Sequence, residues 1–147
     1  MRPTVATGCT EATPDIVNRS RCTSPVVEPL AGKHITRVTP NRSGAQFAKT
    51  LMLIAHRYPS ARTIHLVMDN LNTHNEKSLI DTFGEETARP LLERIAWHYT
   101  PKHASWLNMV EIEIGVMVQQ CLDRRIPDKA TLVAEIEHWE HRHNAER

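Results

Sequence analysis

The sequence predicts an α/β domain with a parallel sheet, and two observations indicate this class. From Lys33 onward, β-rich segments alternate with segments of helical periodicity, in the order strand, helix, strand, helix, strand, helix, helix. This order is typical of sheets whose parallel strands are connected by helices. One β-rich segment, residues 63–68, is almost continuously apolar, as expected of a strand that is buried on both faces.

Residues 1–32 differ from the rest of the chain. Prolines recur in a stretch rich in Thr, Ser and Arg, and its apolar residues show no periodicity. We therefore expect an irregular N-terminal segment, residues 1–32, in which Val26-Val27 forms at most a short strand. The α/β domain is expected to occupy residues 33–147.

The first predicted strand and helix come next in the chain. Residues 34–38 alternate and are β-rich, which predicts a strand. Ser43 can cap a helix that runs to about Tyr58, where Pro59 ends it. The expected buried face of this helix consists of Phe47, Leu51, Ile54 and Tyr58.

The apolar segment 63–68 is the second predicted strand. After it, Asn72-Thr73 can cap a helix from about His74 to Phe83. Residues 85–95 form a further helical stretch, which Pro90 is expected to kink or restart.

A third strand is predicted at residues 96–100, where Pro101 stops it. A long helix should follow from Ser105 to about Arg124, and a last helix from Asp128 to His143. The apolar stripe of the last helix consists of Leu132, Ile136 and Trp139.

Asp69 and Asn70 directly follow the buried strand 63–68. Open parallel sheets bind ligands at the carboxyl ends of their strands, so Asp69 is a candidate functional residue. The alternative is a turn or a helix N-cap, which is how most Asp-Asn pairs are used.

Glu111 lies on the predicted apolar face of the long helix, four residues after Leu107 and three before Ile114. A buried carboxylate is costly unless it meets a cation, so Glu111 is a candidate catalytic or metal-binding residue. The alternatives are a salt bridge in the core and a carboxylate favoured by the helix dipole. Glu113 is expected to point to the opposite, solvated side.

Other polar residues give weaker indications. Lys102, His103 and Ser105 could meet a phosphate near a helix N-terminus, although an ordinary exposed loop has the same composition. His74 and His103 each follow a candidate position, which makes them candidate neighbours of the site. The histidines of the last helix, at positions 138, 141 and 143, lack an accompanying cysteine, and we interpret them as a solvated face rather than a zinc site.

Composition excludes several classes of protein. The net charge of +1 gives no electrostatic indication of nucleic acid. Three scattered cysteines argue against a disulfide framework and for a reducing compartment. Because no apolar run is long enough to span a bilayer and no secretion signal is visible, a cytoplasmic protein without a membrane partner is expected.

Two segments together resemble the catalytic blocks of a known family. Residues 66–74, Leu-Val-Met-Asp-Asn-Leu-Asn-Thr-His, and residues 98–111, from His-Tyr-Thr-Pro-Lys-His to Leu-Asn-Met-Val-Glu, resemble the second and third blocks of DDE transposases. The similarity is to the bacterial insertion-sequence branch of the mariner-like superfamily, and it covers about residues 28–145.

The resemblance implies a ribonuclease H-like fold, a mixed sheet with flanking helices, and the cutting and joining of DNA at transposon ends. It implies that Asp69 is the second and Glu111 the third of three carboxylates that hold Mg²⁺ or Mn²⁺. The residues expected to neighbour the site or the DNA are Asn70, His74, Lys102, His103 and Asn108.

The sequence departs from the family in its N-terminal part. The family's first Asp ends a central apolar strand, which we do not find in residues 1–27, where Asp15 follows no such strand. We expect a truncated, weakly active or inactive copy with an incomplete sheet, in which the edge of the strand 63–68 is bare and prone to aggregation. The alternative is a non-catalytic fragment that binds DNA or a full-length transposase; either protein could also form homo-oligomers.

Overall fold

The computed structural model describes residues 4–7, 10–11, 22–68, 74–101 and 109–146. It confirms the α/β class, because helices flank a mixed sheet. The strands are β1 (Thr4–Thr7), β2 (Thr10–Glu11), β3 (Cys22–Glu28), β4 (Lys33–Thr39), β5 (Ile64–Met68) and β6 (Ile95–Tyr99). The helices are α1 (Gly44–Arg57), α2 (Glu76–Phe83), α3 (Glu85–Leu92), α4 (Met109–Met117), which continues into a π-helical turn (Val118–Leu122), and α5 (Lys129–Ala145).

The sheet has an antiparallel and a parallel half. In the antiparallel half, β3 pairs with β4 along its whole length and with β1 and β2 along its other edge. Ala6 lies opposite Val27, and Thr10 lies opposite Thr23. This constant register means that β1 and β2 follow one ladder along β3. In the parallel half, β1 pairs with β5 and β5 with β6.

The N-terminal strands correct two expectations. Residues 22–28 form a seven-residue strand, in which Val26 and Val27 are both 2% exposed, and not only the short strand expected at Val26-Val27. The edge of β5 is not bare, because Thr4–Thr7 pairs with His65–Met68. β1 consists of Thr-Val-Ala-Thr, a segment too short to show periodicity, although its β-branched residues favour a strand. β1 has four residues, so a strand at the centre of the sheet is short, in agreement with the expected incompleteness of the sheet.

Helix α1 confirms the predicted amphipathic pattern. Phe47, Leu51 and Ile54 are at most 5% exposed, and they pack in one core with the β5 residues Ile64 and Leu66. Full burial of such side chains stabilises a fold by about 1.5–3 kcal/mol each. At the end of α1, the Tyr58 hydroxyl donates a 2.6 Å hydrogen bond to Glu28, which ties the helix to the end of β3.

The helices after β5 begin and end at local signals. Helix α2 starts two residues later than expected, because the Asn75 side chain accepts a hydrogen bond from the Ser78 amide and so acts as the N-cap. Gly84, with a φ of 79°, ends α2 and precedes α3. Gly84 thus separates the two helices, and α3 continues through Pro90 without the restart that was one of the expected outcomes.

Helix α5 covers the outer edge of β4. Its predicted stripe is confirmed, since Leu132, Ile136 and Trp139 are at most 2% exposed. Beside the stripe, the Thr36 amide donates a 2.7 Å hydrogen bond to the carboxylate of Glu140. Side chains of the helix thus form hydrogen bonds with backbone groups of β4 that would otherwise be open to pairing with another chain. Among the described residues, no helix combines the length and apolarity needed to cross a bilayer.

Candidate functional site

The candidate site lies where the parallel strands β1, β5 and β6 end. Strands β1 and β5 finish in register, with Thr7 opposite Met68. In the sequence, the residue after β1 is Gly8 and the residue after β5 is Asp69. Six candidate residues of the sequence analysis lie outside the described part of the chain, namely Asp69, Asn70, Lys102, His103, Ser105 and Asn108.

Glu111 lies in the first turn of α4, and its position corrects one expectation. Its side chain is exposed, whereas the neighbouring Val110 is 0% exposed. The buried face of α4 is thus turned by one residue from the predicted face and runs through Val110 and Met117. The argument from a buried carboxylate was wrong, yet an exposed carboxylate at a helix N-terminus is open to cations and favoured by the helix dipole.

Val110 determines where the first turn of α4 lies. It forms a small core with Val27 of β3, against which Val67 of β5 also packs. Val67 precedes the end of β5 by one residue, and Val110 precedes Glu111. Glu111 therefore lies on a turn whose residue Val110 packs near the carboxyl end of β5.

His74, the other described candidate, is buried rather than open to a substrate. It is 5% exposed, and its ring stacks on Phe47 of α1 with centroids 4.5 Å apart. Its carbonyl oxygen accepts a 3.3 Å hydrogen bond from the Tyr99 hydroxyl at the end of β6. Burial, followed by the nearby charge of Glu76, raises the pKa of Tyr99, so this hydroxyl remains a donor at neutral pH. His74 thus joins the chain after β5 to α1 and β6.

The sequence did not predict a second polar cluster, which consists of His34, Glu113 and His143. Glu113 was expected to be solvated, but its side chain is 14% exposed and one carboxylate oxygen lies 3.0 Å from Nε2 of His34. His143 was expected on a solvated face, but its side chain is 15% exposed and approaches the same carboxylate. His138 and His141 are exposed, as expected. The three clustered residues lie far apart in the sequence on β4, α4 and α5, so no local pattern indicates that they meet.

Comparison with known proteins places the fold in a family. The model of the family described as DDE superfamily endonuclease matches residues 17–133. The sequence matches none of the curated proteins.

Many solved structures resemble the chain, among them the following two. One is a chain of the simian T-cell lymphotropic virus intasome, determined in complex with the PP2A regulatory subunit B56 gamma, with a TM-score of 0.65, 12% identity and 91% of this chain covered. The other is the catalytic core domain of BIV integrase, with a TM-score of 0.57 and 17% identity over 82% of this chain and 70% of that one. This chain spans 46% of the intasome chain that it matches. At these identities, the similarity shows the fold alone.

Proposed function

Since the chain belongs to the DDE superfamily endonucleases, we propose that it is a transposase of an insertion sequence, in a copy whose catalytic site is reduced. Its substrate is then the DNA at the transposon ends, where such an enzyme cuts and joins strands. The observation that carries this proposal is the packing of Val110 against the core that includes Val67, because it brings Glu111 beside the end of β5.

Asp69 and Glu111 are the two carboxylates of the proposed site. Asp69 follows β5 directly, at the edge of the sheet where open α/β folds bind their ligands. Glu111 is exposed on the adjacent first turn of α4. Hard oxygen donors of this kind suit Mg²⁺ or Mn²⁺. When bound, such a cation supplies activation of the attacking oxygen and stabilisation of the leaving oxygen in phosphodiester chemistry.

The remaining candidate residues have two roles in this proposal. Lys102, His103 and Asn108 come shortly before α4 in the sequence, and their donors suit the phosphates of DNA. Asn70 neighbours Asp69. His74, which stacks on Phe47 and accepts from Tyr99, is a positioning residue that holds the chain downstream of Asp69 in place.

The proposed site is reduced because Gly8, and not an acidic residue, follows β1. Thr7 of β1 and Met68 of β5 lie opposite each other, and Gly8 and Asp69 are the residues that follow them in the sequence. A glycine offers no metal ligand. Removing one member of a catalytic unit lowers the rate by orders of magnitude, so we expect weak cleavage or none.

Gly8 also favours the second candidate function, a non-catalytic protein that binds DNA or a transposase. Such a protein would keep the fold and its contacts without turnover. Both candidate functions are compatible with assembly with a second copy or with a full-length transposase.

The test is to supply the missing carboxylate. We expect Gly8→Asp to produce Mn²⁺-dependent cleavage of a DNA substrate carrying the transposon ends, and Gly8→Asn to produce none. Adding Glu111→Gln to Gly8→Asp should abolish the cleavage, whereas adding Glu137→Gln, at an exposed position on α5, should leave it intact. Cleavage that persists in the double variant with Glu111→Gln would contradict the assignment of Glu111. DNA binding by all variants with cleavage by none would establish the non-catalytic function.

A further inference from the structure

Two histidines and a glutamate converge on one point between β4, α4 and α5. The Nε2 atom of His34 lies 3.0 Å from Oε2 of Glu113. The Nε2 atom of His143 lies 3.9 Å from the same oxygen. One ligand atom from each residue can be chosen so that all three lie within 4.8 Å of one another.

The distances suit a transition-metal ion. Zinc binds imidazole nitrogen and carboxylate oxygen at about 2.0–2.2 Å, so tetrahedral geometry separates its donor atoms by about 3.4 Å. The two measured distances, 3.0 and 3.9 Å, lie on either side of that value. A small movement of His143 toward Glu113 would therefore complete a three-ligand set.

The environment of His143 is the second, independent observation. Its Nε2 atom is buried and has no hydrogen-bond partner among the described residues. A buried polar nitrogen without a partner costs free energy, because it has lost its hydrogen bond to water. This nitrogen faces the Glu113 carboxylate at a distance too long for a hydrogen bond. Coordination of a shared cation would satisfy it.

Packing holds both imidazoles in place. The ring of His143 stacks on Trp139, with centroids 4.7 Å apart and planes at 19°. It also meets the edge of His34, at 4.7 Å and 80°. Asn144 forms two hydrogen bonds with the backbone of His34, whose side chain is 2% exposed. Ligands fixed in this way lose little freedom on binding a metal.

We propose that His34, Glu113 and His143 form a structural zinc site, with water as the fourth ligand. The ion is zinc rather than magnesium, because imidazole is a favoured ligand of zinc and magnesium prefers oxygen. The site joins the edge strand to both C-terminal helices. It also anchors α4 two residues from Glu111, and only this consequence rests on the proposed function.

The experiment titrates the purified, metal-free chain with Zn²⁺ and, separately, with Co²⁺, in the absence of DNA. We expect one equivalent of Zn²⁺ to bind and to raise the melting temperature. Co²⁺ should develop the visible absorption of a tetrahedral site, and Mg²⁺ should not displace it. Glu113→Gln and His143→Gln should each weaken binding by at least about tenfold.

Three variants serve as controls and should retain binding. His141→Ala removes an exposed histidine of the same helix. His65→Ala breaks a second close histidine pair, in which Nδ1 of His65 lies 3.0 Å from Nε2 of His98. Glu111→Gln removes the proposed catalytic carboxylate, so it separates this site from the catalytic one.

Three results would overturn the proposal. They are the absence of Zn²⁺ binding by the parent chain, unchanged binding in Glu113→Gln, and equal loss in His141→Ala or His65→Ala. The cluster would then be a hydrogen-bonded pair of His34 and Glu113, with His143 beside it. A circular dichroism melt of each variant without metal shows whether it folds. If His143→Gln does not fold, Glu113→Gln, which preserves the shape of the side chain and a hydrogen-bond acceptor, still tests metal binding.

Discussion

Asn144 of α5 forms two hydrogen bonds with the backbone of His34 on β4. The His34 amide donates to Oδ1 of Asn144 at 2.7 Å, and Nδ2 of Asn144 donates to the His34 carbonyl at 2.9 Å. The Asn144 side chain thus pairs with the amide and the carbonyl of His34, as a neighbouring strand would. It connects the last helix to a strand that lies 110 positions earlier.

Asn144→Ala should lower the free energy of unfolding by about 1–3 kcal/mol, because it leaves two partly buried backbone groups without this partner. Asn41→Ala is the matched control, since it removes a single exposed bond to the Ser43 amide and should cost less. Urea unfolding followed by circular dichroism measures both changes. Equal losses would mean that the contact of Asn144 with β4 contributes no more than an exposed hydrogen bond.

Two glycines should respond to alanine with opposite signs. Gly84 has φ 79° and ψ 160°, a conformation that side chains avoid, so Gly84→Ala should cost about 1–3 kcal/mol. Gly115 lies inside α4, so Gly115→Ala should stabilise by up to about 1 kcal/mol. A Cβ atom at either position meets nothing within 4 Å, so backbone conformation alone decides the sign. Thermal melts of both variants test this; a shift in the same direction would contradict it.

Glu140 should make stability depend on pH. Burial raises its pKa above the usual range, although the hydrogen bond from the Thr36 amide opposes that shift. A carboxyl whose pKa is raised in the folded state favours folding at low pH, and this contribution is lost as pH rises from the ordinary value of 4.5 through the raised one.

Glu140→Gln should remove this pH dependence, because glutamine can still accept from Thr36 but does not ionise. Melting temperatures between about pH 4 and pH 8 should therefore fall less steeply for this variant than for the parent, whereas Glu93→Gln, at an exposed position after α3, should leave the slope unchanged. Parallel curves for Glu140→Gln and the parent would show that the pKa of Glu140 does not change on folding.

Mn²⁺ should stabilise the fold through Asp69 even if no cleavage occurs. A ligand that binds only the folded state at ten times its dissociation constant adds about 1.4 kcal/mol. We expect Asp69→Asn to abolish the rise in melting temperature that Mn²⁺ causes, whereas Asp81→Asn, at an exposed position of α2, should preserve it. A rise that is the same in all three proteins would assign the Mn²⁺ to another site.

Local periodicity explains which elements could be predicted. The stripes of α1 and α5 extend over several turns, and each turn repeats the same indication. The strand at Ile64–Met68 is recognisable because both of its faces are apolar. These features depend on residues that are close in sequence, so the sequence alone predicts them.

Features that depend on distant residues could not be predicted in this way. β1 is a strand because β3 and β5 lie on its two sides, and four residues carry too little pattern of their own. In α4, the sequence Val-Glu-Ile-Glu-Ile carries apolar residues on more than one face. Only the contact of Val110 with Val27 decides which face is buried. The cluster of His34, Glu113 and His143 likewise exists only after three elements have packed.

The register of β1 has a consequence for the order of folding. β3 and β4 are joined by a short turn that contains Gly32, at φ 60°, so this hairpin can form as soon as both strands exist. β1 must instead bridge from Val26-Val27 to a strand that ends at Met68, which requires closing a far longer loop. Non-local pairing of this kind slows folding. The antiparallel half should therefore form first, and the two halves of the sheet should join late, when β5 docks on β1.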